Sequence, residues 1–279
     1  MGFGDGKQFR GNQNYAVFDT EVLLSINIQI RRRGKQNSKL EIVKSGPDLK
    51  GANRFVAEGL LWKNQCRSLV DIIKKFSIVG DGYDTGSPHT KMETFEGMSL
   101  ERAILLTYYG LLKIKYLKMI VQVSEDAKQS ITRYFRVEKP LYFTYTHLVC
   151  RSALKGISKN RTDLSHEIHA DNCNIYPDGI CEKQPPSYIW RDYSAIIYLN
   201  NDFDGGEFFF SSNTQPESIE TIVQPACGRM VGFSSGSENL HGVNAVRKGS
   251  RCALALWFTF DEIYREKVRD WVYDFLDEG

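Results

Sequence analysis

Leu141-Tyr-Phe-Thr-Tyr-Thr-His-Leu-Val149 opens a stretch unlike the chain before it. After it come Tyr193–Leu199, Glu207–Phe210, Glu220–Val223, Met230–Phe233, Gly242–Ala245 and Ala253–Phe260. These are short β-rich runs separated by clusters of Gly, Asn and Pro. Several short strands at such spacing argue a sandwich or barrel. Upstream the pattern is helical. Cys66, Leu69, Ile73 and Phe76 share a face of a helix over 64–78. Two more helices are expected near 98–112 and 116–136, the second lined by Ile120, Val123, Ala127, Ile131 and Phe135. A last helix over 261–277 is expected to bury Tyr264, Val268, Trp271, Phe275 and Leu276. The expected class is α+β: a jelly-roll core over about 141–260, an N-terminal helical support and a C-terminal helix.

Further upstream, Val22, Leu24, Ile26, Ile28 and Ile30 alternate with polar residues, as on a strand. The basic turn Arg31 to Ser38 and a return strand at Leu40–Val43 complete a hairpin region assigned to residues 1–50. Residues 51–279 are assigned to the main domain, and the whole reads as one structural unit.

The 279 residues carry 36 basic and 34 acidic side chains, a net charge of +2, which argues against general electrostatic binding of nucleic acid. No apolar run approaches the ~20 residues of a membrane-spanning helix. The first residues lack the charged and apolar segments of a secretory signal. None of the six cysteines forms a C-x-x-C pair, so a zinc ribbon is not expected. Cys173 and Cys181 share a polar loop. They either close it in an oxidising compartment or remain two thiols.

Within the β-rich region stand His169-Ala-Asp171, then His241, then Arg251. One intervening residue on an extended chain puts His169 and Asp171 on the same side. Two imidazoles and one carboxylate form the facial set of non-haem Fe(II) oxygenases, leaving open positions for a chelating cosubstrate and O₂. A guanidinium fork suits the distal carboxylate of a 2-oxo diacid. Arg251 is therefore expected to hold 2-oxoglutarate, and the pattern as a whole points to a 2-oxoglutarate-dependent dioxygenase. Tyr198 is either a second donor to that carboxylate or a core aromatic. Gly205-Gly206 supplies a turn of positive φ. His166 is expected in a loop or beside the ligands, His147 in the core and His89 at the surface.

At these residues the sequence resembles the catalytic domain of the prolyl 3-hydroxylase, or leprecan, family. The matching segments include Val79-Gly-Asp-Gly-Tyr83, Ser87-Pro-His-Thr90, Tyr145-Thr-His-Leu-Val-Cys-Arg151, Asp163-Leu-Ser-His166, His169-Ala-Asp-Asn-Cys173, Arg191-Asp-Tyr-Ser194, Gly232-Phe-Ser-Ser-Gly236, His241-Gly-Val243 and Arg251-Cys-Ala253. They cover roughly residues 55–265. The resemblance implies a double-stranded β-helix, Fe(II), 2-oxoglutarate, O₂ and ascorbate, and hydroxylation of proline at carbon 3 in collagen-like chains. By position it makes His169, Asp171 and His241 the iron ligands and Arg251 the cosubstrate anchor. It also implies the endoplasmic reticulum. The chain lacks the family's long helical-repeat region and ends Leu276-Asp-Glu-Gly279 without a retention tetrapeptide. It is expected to be a fragment or a short homologue, and a cytoplasmic location stays open.

Two other readings compete. One is the same chemistry on another protein residue, as in a prolyl 4-hydroxylase. The other is a non-catalytic relative that binds collagen, which would be expected to lose the ligand residues that this chain keeps. A jelly-roll metal protein of different chemistry would have no use for a diacid anchor. Tyr83, Tyr145, Tyr193 and Trp257 are expected to line the mouth of the site.

Overall fold

The computed structural model describes residues 40–79, 90–156 and 160–278. All of them belong to the second of two units into which the chain divides, Ser38–Gly279. The expected strand over Val22–Ile30, and the positions of Tyr83 and His89, lie outside the described residues.

Sixteen strands and four α-helices are present among the described residues. The first half holds β1 (Glu41–Lys44), β2 (Arg54–Glu58), α1 (Lys63–Phe76), β3 (Ile78–Val79), β4 (Glu93–Ser99), α2 (Leu100–Tyr108) and α3 (Ile114–Tyr134). Then come β5 (Tyr142–Ala153), β6 (Leu164–His169), β7 (Asn174–Ile175), β8 (Cys181–Glu182), β9 (Tyr193–Tyr198), β10 (Asp204–Gly205), β11 (Phe208–Ser211) and β12 (Ile219–Val223). The chain closes with β13 (Met230–Ser234), β14 (His241–Asn244), β15 (Val246–Lys248), β16 (Ser250–Thr259) and α4 (Val268–Glu278).

An eight-stranded sheet runs β1-β2-β13-β9-β16-β5-β4-β3, and a four-stranded sheet runs β12-β11-β14-β6. Neighbours in both sheets are antiparallel. From β5 onward the chain passes back and forth: β5 in the large sheet, β6 in the small, β9 large, β11 and β12 small, β13 large, β14 small, β16 large. That alternation winds the two sheets into a double-stranded β-helix, the expected α+β architecture.

The period of two explains why β16 is apolar almost throughout. Cys252, Leu254, Leu256 and Phe258 join the layer containing Leu69, Ile73, Leu117, Ile120, Ala127 and Ile131 from the helices. Ala253, on the opposite face, packs with Tyr198, Phe208, Phe210, Phe233 and Val243 between the sheets. A strand covered on both faces needs no polar side. Each large side chain so buried contributes roughly 1.5–3 kcal/mol. Arg54, 1 % exposed, bridges the sheets: its guanidinium lies 4.4 Å from the Phe210 ring centre and 2.9 Å from Glu220 Oε2.

The helices α1 and α3 match their expected spans within two residues. The expected helix over 98–112 is shorter. Glu93–Ser99 is strand β4, paired along its length with β5, and Ser99 Oγ caps α2 by accepting from Arg102 N at 3.2 Å. Glu and Gly in Glu93-Thr-Phe-Glu-Gly-Met-Ser99 are poor strand formers, and cross-strand pairing overrides that preference. The boundary at residue 50 is also corrected. Glu41–Lys44 pairs with β2 at the edge of the large sheet, so a cut at 50 would split a hairpin. The last helix starts at Val268, later than expected; Val268, Phe275 and Leu276 pack against the core as expected, together with the fully buried Val272, whereas Trp271 is 39 % exposed and Tyr264, in the 3-10 turn before the helix, 38 % exposed.

All six cysteines are paired: Cys66–Cys227, Cys150–Cys252 and Cys173–Cys181. The first ties α1 to the turn before β13, the second joins facing positions of β5 and β16, and the third closes the loop left open in the sequence reading. Peptide mapping of natively produced protein without reduction is expected to recover three linked pairs. Recovery of Cys173 and Cys181 as thiols would remove the loop bridge.

Candidate metal centre

His169 is the last residue of β6, and His241 is the first of β14. The two strands pair with these residues opposite each other, which brings the rings to 4.3 Å between centres. Asp171 follows one turn of chain later, its backbone N–H donating to Ser235 O at 3.1 Å. One ligand atom from each of His169, Asp171 and His241 lies within 4.8 Å of the other two.

The hydrogen bonds around this group settle which atoms face inward. His169 Nδ1 lies 2.7 Å from Glu167 O, and His241 Nδ1 lies 2.9 Å from Asn239 O. A carbonyl can only accept, so each Nδ1 carries the proton and each Nε2 keeps its lone pair. Those Nε2 atoms stand 3.7 Å from Asp171 Oδ1 and 3.9 Å from Asp171 Oδ2. Burial, reinforced by the neighbouring His169, pushes His241 down to about 4, so its imidazole is neutral at pH 7. Burial works against charge on Asp171. The surrounding polar and positive groups, with the fixed Arg191 charge among them, outweigh it, and its carboxyl is held well below the ordinary range. Two neutral imidazoles and one carboxylate, all with lone pairs converging, are a donor set suited to a divalent first-row metal.

The shell around Asp171 escaped the sequence reading. Ser194 Oγ donates to Asp171 Oδ2 at 2.5 Å and lies 2.8 Å from Ser235 Oγ. Arg191 Nη1 is 3.6 Å from Asp171 Oδ1, and its guanidinium lies over both Tyr188 (3.9 Å) and Trp257 (4.2 Å). Groups that hold a ligating carboxylate in orientation tune a metal site as much as the ligands do. Their signal was faint: Ser194 faces inward only once the register of β9 is known.

The group opens into a cleft between the sheets. Its floor is β16, where Arg251, Ala253, Ala255 and Trp257 point inward in turn. The two alanines leave room between the His169, Asp171 and His241 group and the arginine. Arg251 is 8 % exposed, and its Nε has no hydrogen-bond partner among the described residues. Gly206, at φ +69°, lies against it: a Cβ there would come within 3.1 Å of Arg251 Cδ. Both Gly205 and Gly206 have positive φ, as the turn reading expects. Tyr198 faces Ala253 across the β9–β16 pair and is fully buried. Burial raises its phenol to about 12, against the pull of the Arg251 charge, and its Oη lacks a hydrogen-bond acceptor. A buried donor without a partner costs free energy. Tyr198 and Arg251 therefore form a cradle fitted to a carboxylate.

Arg151 is the cross-strand neighbour of Arg251, lines the same cleft and lies over Phe95 at 4.5 Å. It shares the inward row of β5 with Tyr145, His147 and Val149, a charged residue where the alternation calls for an apolar one. His166 stacks on His169 at 4.0 Å and also lines the cleft. His147 is fully buried between Phe95 and Tyr145. Of the aromatics expected at the mouth, Trp257 lines the cleft and Tyr145 stacks beside it at 6.0 Å. Tyr193 does not reach the mouth: it points into the helix layer, stacked on Phe135 at 4.8 Å.

Comparison with known proteins agrees with this geometry. The family model described as the 2OG-Fe(II) oxygenase superfamily matches residues 157–259. Prolyl 3-hydroxylase 2 of Mus musculus is 45 % identical over 244 residues, covering 86 % of this chain and 35 % of its own length. Prolyl 3-hydroxylase 1 of Gallus gallus is 45 % identical over 231 residues, covering 82 % of this chain and 32 % of its own. This chain thus spans about a third of the length of these curated relatives. Among solved structures, the viral collagen prolyl hydroxylase of Paramecium Bursaria Chlorella virus-1 is similar at 14 % identity and a TM-score of 0.47, over 75 % of this chain and 97 % of that one. The stretch that carries His169, Asp171, His241 and Arg251 is thus similar to the 2OG-Fe(II) oxygenase superfamily, and most of the chain is similar to the prolyl 3-hydroxylases.

Proposed function

We propose that this chain is an Fe(II)- and 2-oxoglutarate-dependent peptidyl-proline 3-hydroxylase acting on single, unfolded, collagen-like chains. The observation that carries the proposal is the convergence of His169 Nε2, Asp171 and His241 Nε2 in a cleft whose far end holds the unpartnered Tyr198 Oη and Arg251 Nε. In this reading His169, Asp171 and His241 hold the iron, and Arg251 and Tyr198 hold the distal carboxylate of 2-oxoglutarate. Bound there, iron, 2-oxoglutarate and O₂ supply hydroxylation of an unactivated C–H bond coupled to decarboxylation of the cosubstrate, with ascorbate keeping the metal reduced.

The protein's own part is placement. Ser194 and Arg191 hold Asp171 from both oxygens, so the carboxylate cannot swing away from the metal position. The Nδ1 bonds to Glu167 O and Asn239 O fix the imidazole planes. Phe208 and Phe233, at 5.2 and 4.6 Å from the His241 ring, keep water from that side. Gly206 packs against the aliphatic stem of Arg251 and aims its fork along the floor. Six paired cysteines suit an oxidising compartment, which supports maturation in the endoplasmic reticulum. The described residues would act as one catalytic unit.

The expected substrate is a chain without internal hydrogen bonds, such as a polyproline-II segment. His241 and Asp171 are only 5 % and 8 % exposed, and a wound triple helix is too wide to carry one ring down to them. One collagen-like peptide offered below and above its melting temperature tests this. Hydroxylation is expected only above it, at carbon 3. Equal turnover of both forms, or product solely at carbon 4, would overturn the substrate reading and leave the iron chemistry standing.

A further inference from the structure

Trp257 at the cleft is the inner end of an aromatic series that reaches the surface. Its ring is covered by the Arg191 guanidinium at 4.2 Å, which lies 3.9 Å from the Tyr188 ring on its way out. Tyr188 meets Trp190 edge to face at 5.6 Å. Trp190 stacks on Tyr264 with ring centres 4.4 Å apart and planes within 3°. The series draws on two segments distant in sequence, the loop before β9 and the 3-10 turn at Glu262–Tyr264. Beside it stand Ile189, 38 % exposed, and Ile263, 78 % exposed. The loop portion, Pro185-Pro-Ser-Tyr-Ile-Trp190, has no charged residue. Aromatic planes at the surface, linked through the Arg191 guanidinium to a reaction cleft, are the chemistry that recognises an extended proline-rich chain. Proline rings lie flat on such planes, and a polyproline-II chain arrives already ordered.

We infer that Tyr188, Trp190 and Tyr264 form the docking surface for the substrate chain on one side of the target proline, while that proline's ring passes Trp257 into the cleft. The inference rests on the function proposed above and adds the path the chain takes. At ~3.1 Å rise per residue, a polyproline-II chain covers the distance from Trp257 to Tyr264 in at most about six residues. Flanking residues beyond that length on that side gain no further contact.

The test uses the full chain loaded with Mn(II) and 2-oxoglutarate, and a proline- and glycine-rich peptide held above its triple-helix melting temperature. Trp190→Ala and Tyr264→Ala are each expected to weaken peptide binding on the order of three- to tenfold, the range that aromatic contacts supply. In turnover the change should sit in peptide KM rather than kcat. Trp190→Phe keeps an aromatic plane and should restore most of the affinity. Binding is read directly by calorimetry in wild type and every variant, so the result does not depend on turnover. Peptide extended on one side only should gain affinity up to about six residues. Unchanged peptide affinity in both alanine variants would overturn the docking surface and leave the proposed reaction intact. Loss of Mn(II) and 2-oxoglutarate affinity together with peptide affinity, unrescued by Trp190→Phe, would overturn it too, showing a purely structural stack. Direct peptide binding without any proline hydroxylation by the wild type would instead remove the proposed reaction and keep the surface.

Discussion

Replacement of His241 by alanine is expected to abolish turnover and to weaken divalent-metal binding strongly. The imidazole is one of three converging donors, and the side chains around it cannot stand in: Phe208 and Phe233 offer only rings. Its loss also strands Asn239 O, which accepts from His241 Nδ1. His169→Ala should behave alike, although that ring is more exposed and water has easier access to the gap. Titration with Mn(II), followed by magnetic resonance, separates loss of metal from loss of fold when paired with a thermal melt. Full activity in His241→Ala would sink the assignment of all three ligands, because no other group of three candidate donors is found among the described residues.

Arg251→Ala is expected to raise the 2-oxoglutarate requirement by at least about thirtyfold while metal binding persists. A dianion deprived of its partner in a semi-buried pocket loses roughly 2–5 kcal/mol. Tyr198 Oη remains, but one neutral donor does not replace a charged fork. Arg251→Lys should recover only part of the loss, since a single ammonium cannot form the paired bonds. Measuring 2-oxoglutarate affinity by calorimetry with Mn(II) in place keeps the result independent of turnover. Unchanged affinity in Arg251→Ala would take the cosubstrate away from this end of the cleft.

The residues with chemistry were legible because their pattern is local or ordered. His169 and Asp171 sit one residue apart, and His241 and Arg251 follow in the order that a jelly roll brings together. What stayed hidden depends on register. Ser194 and Arg191 reach Asp171 only because β9 pairs with β13, placing Ser194 opposite Phe233 and beside Ser235. The partners of six cysteines could not be read, since 15 connectivities are open to them. Strand β2 is five residues, Arg54-Phe-Val-Ala-Glu58, too short to show a period and buried on both faces. Tyr193 looked like a mouth residue by its place in the chain. Its position next to Ser194 sends it to the opposite face of the sheet, and alternation alone decides that. The start of α4 was misplaced for another reason: Glu266 accepts from Thr146 N and Oγ1 and holds a turn where the apolar spacing alone suggested helix.

The Cys150–Cys252 bridge spans 102 residues, and every side chain assigned above to iron or 2-oxoglutarate lies inside that span. The oxidised chain is thus a covalent ring that already contains His169, Asp171, Tyr198, His241 and Arg251 before any sheet has formed. A ring of that size removes about 4.7 kcal/mol of chain entropy from the unfolded state in the loop-closure account. It also raises the effective concentration of each ligand for the others. In the proposed function, iron capture and sheet assembly would then be one search within a closed loop rather than two along an open chain. A chain kept reduced would have to bring the same residues together without that tether.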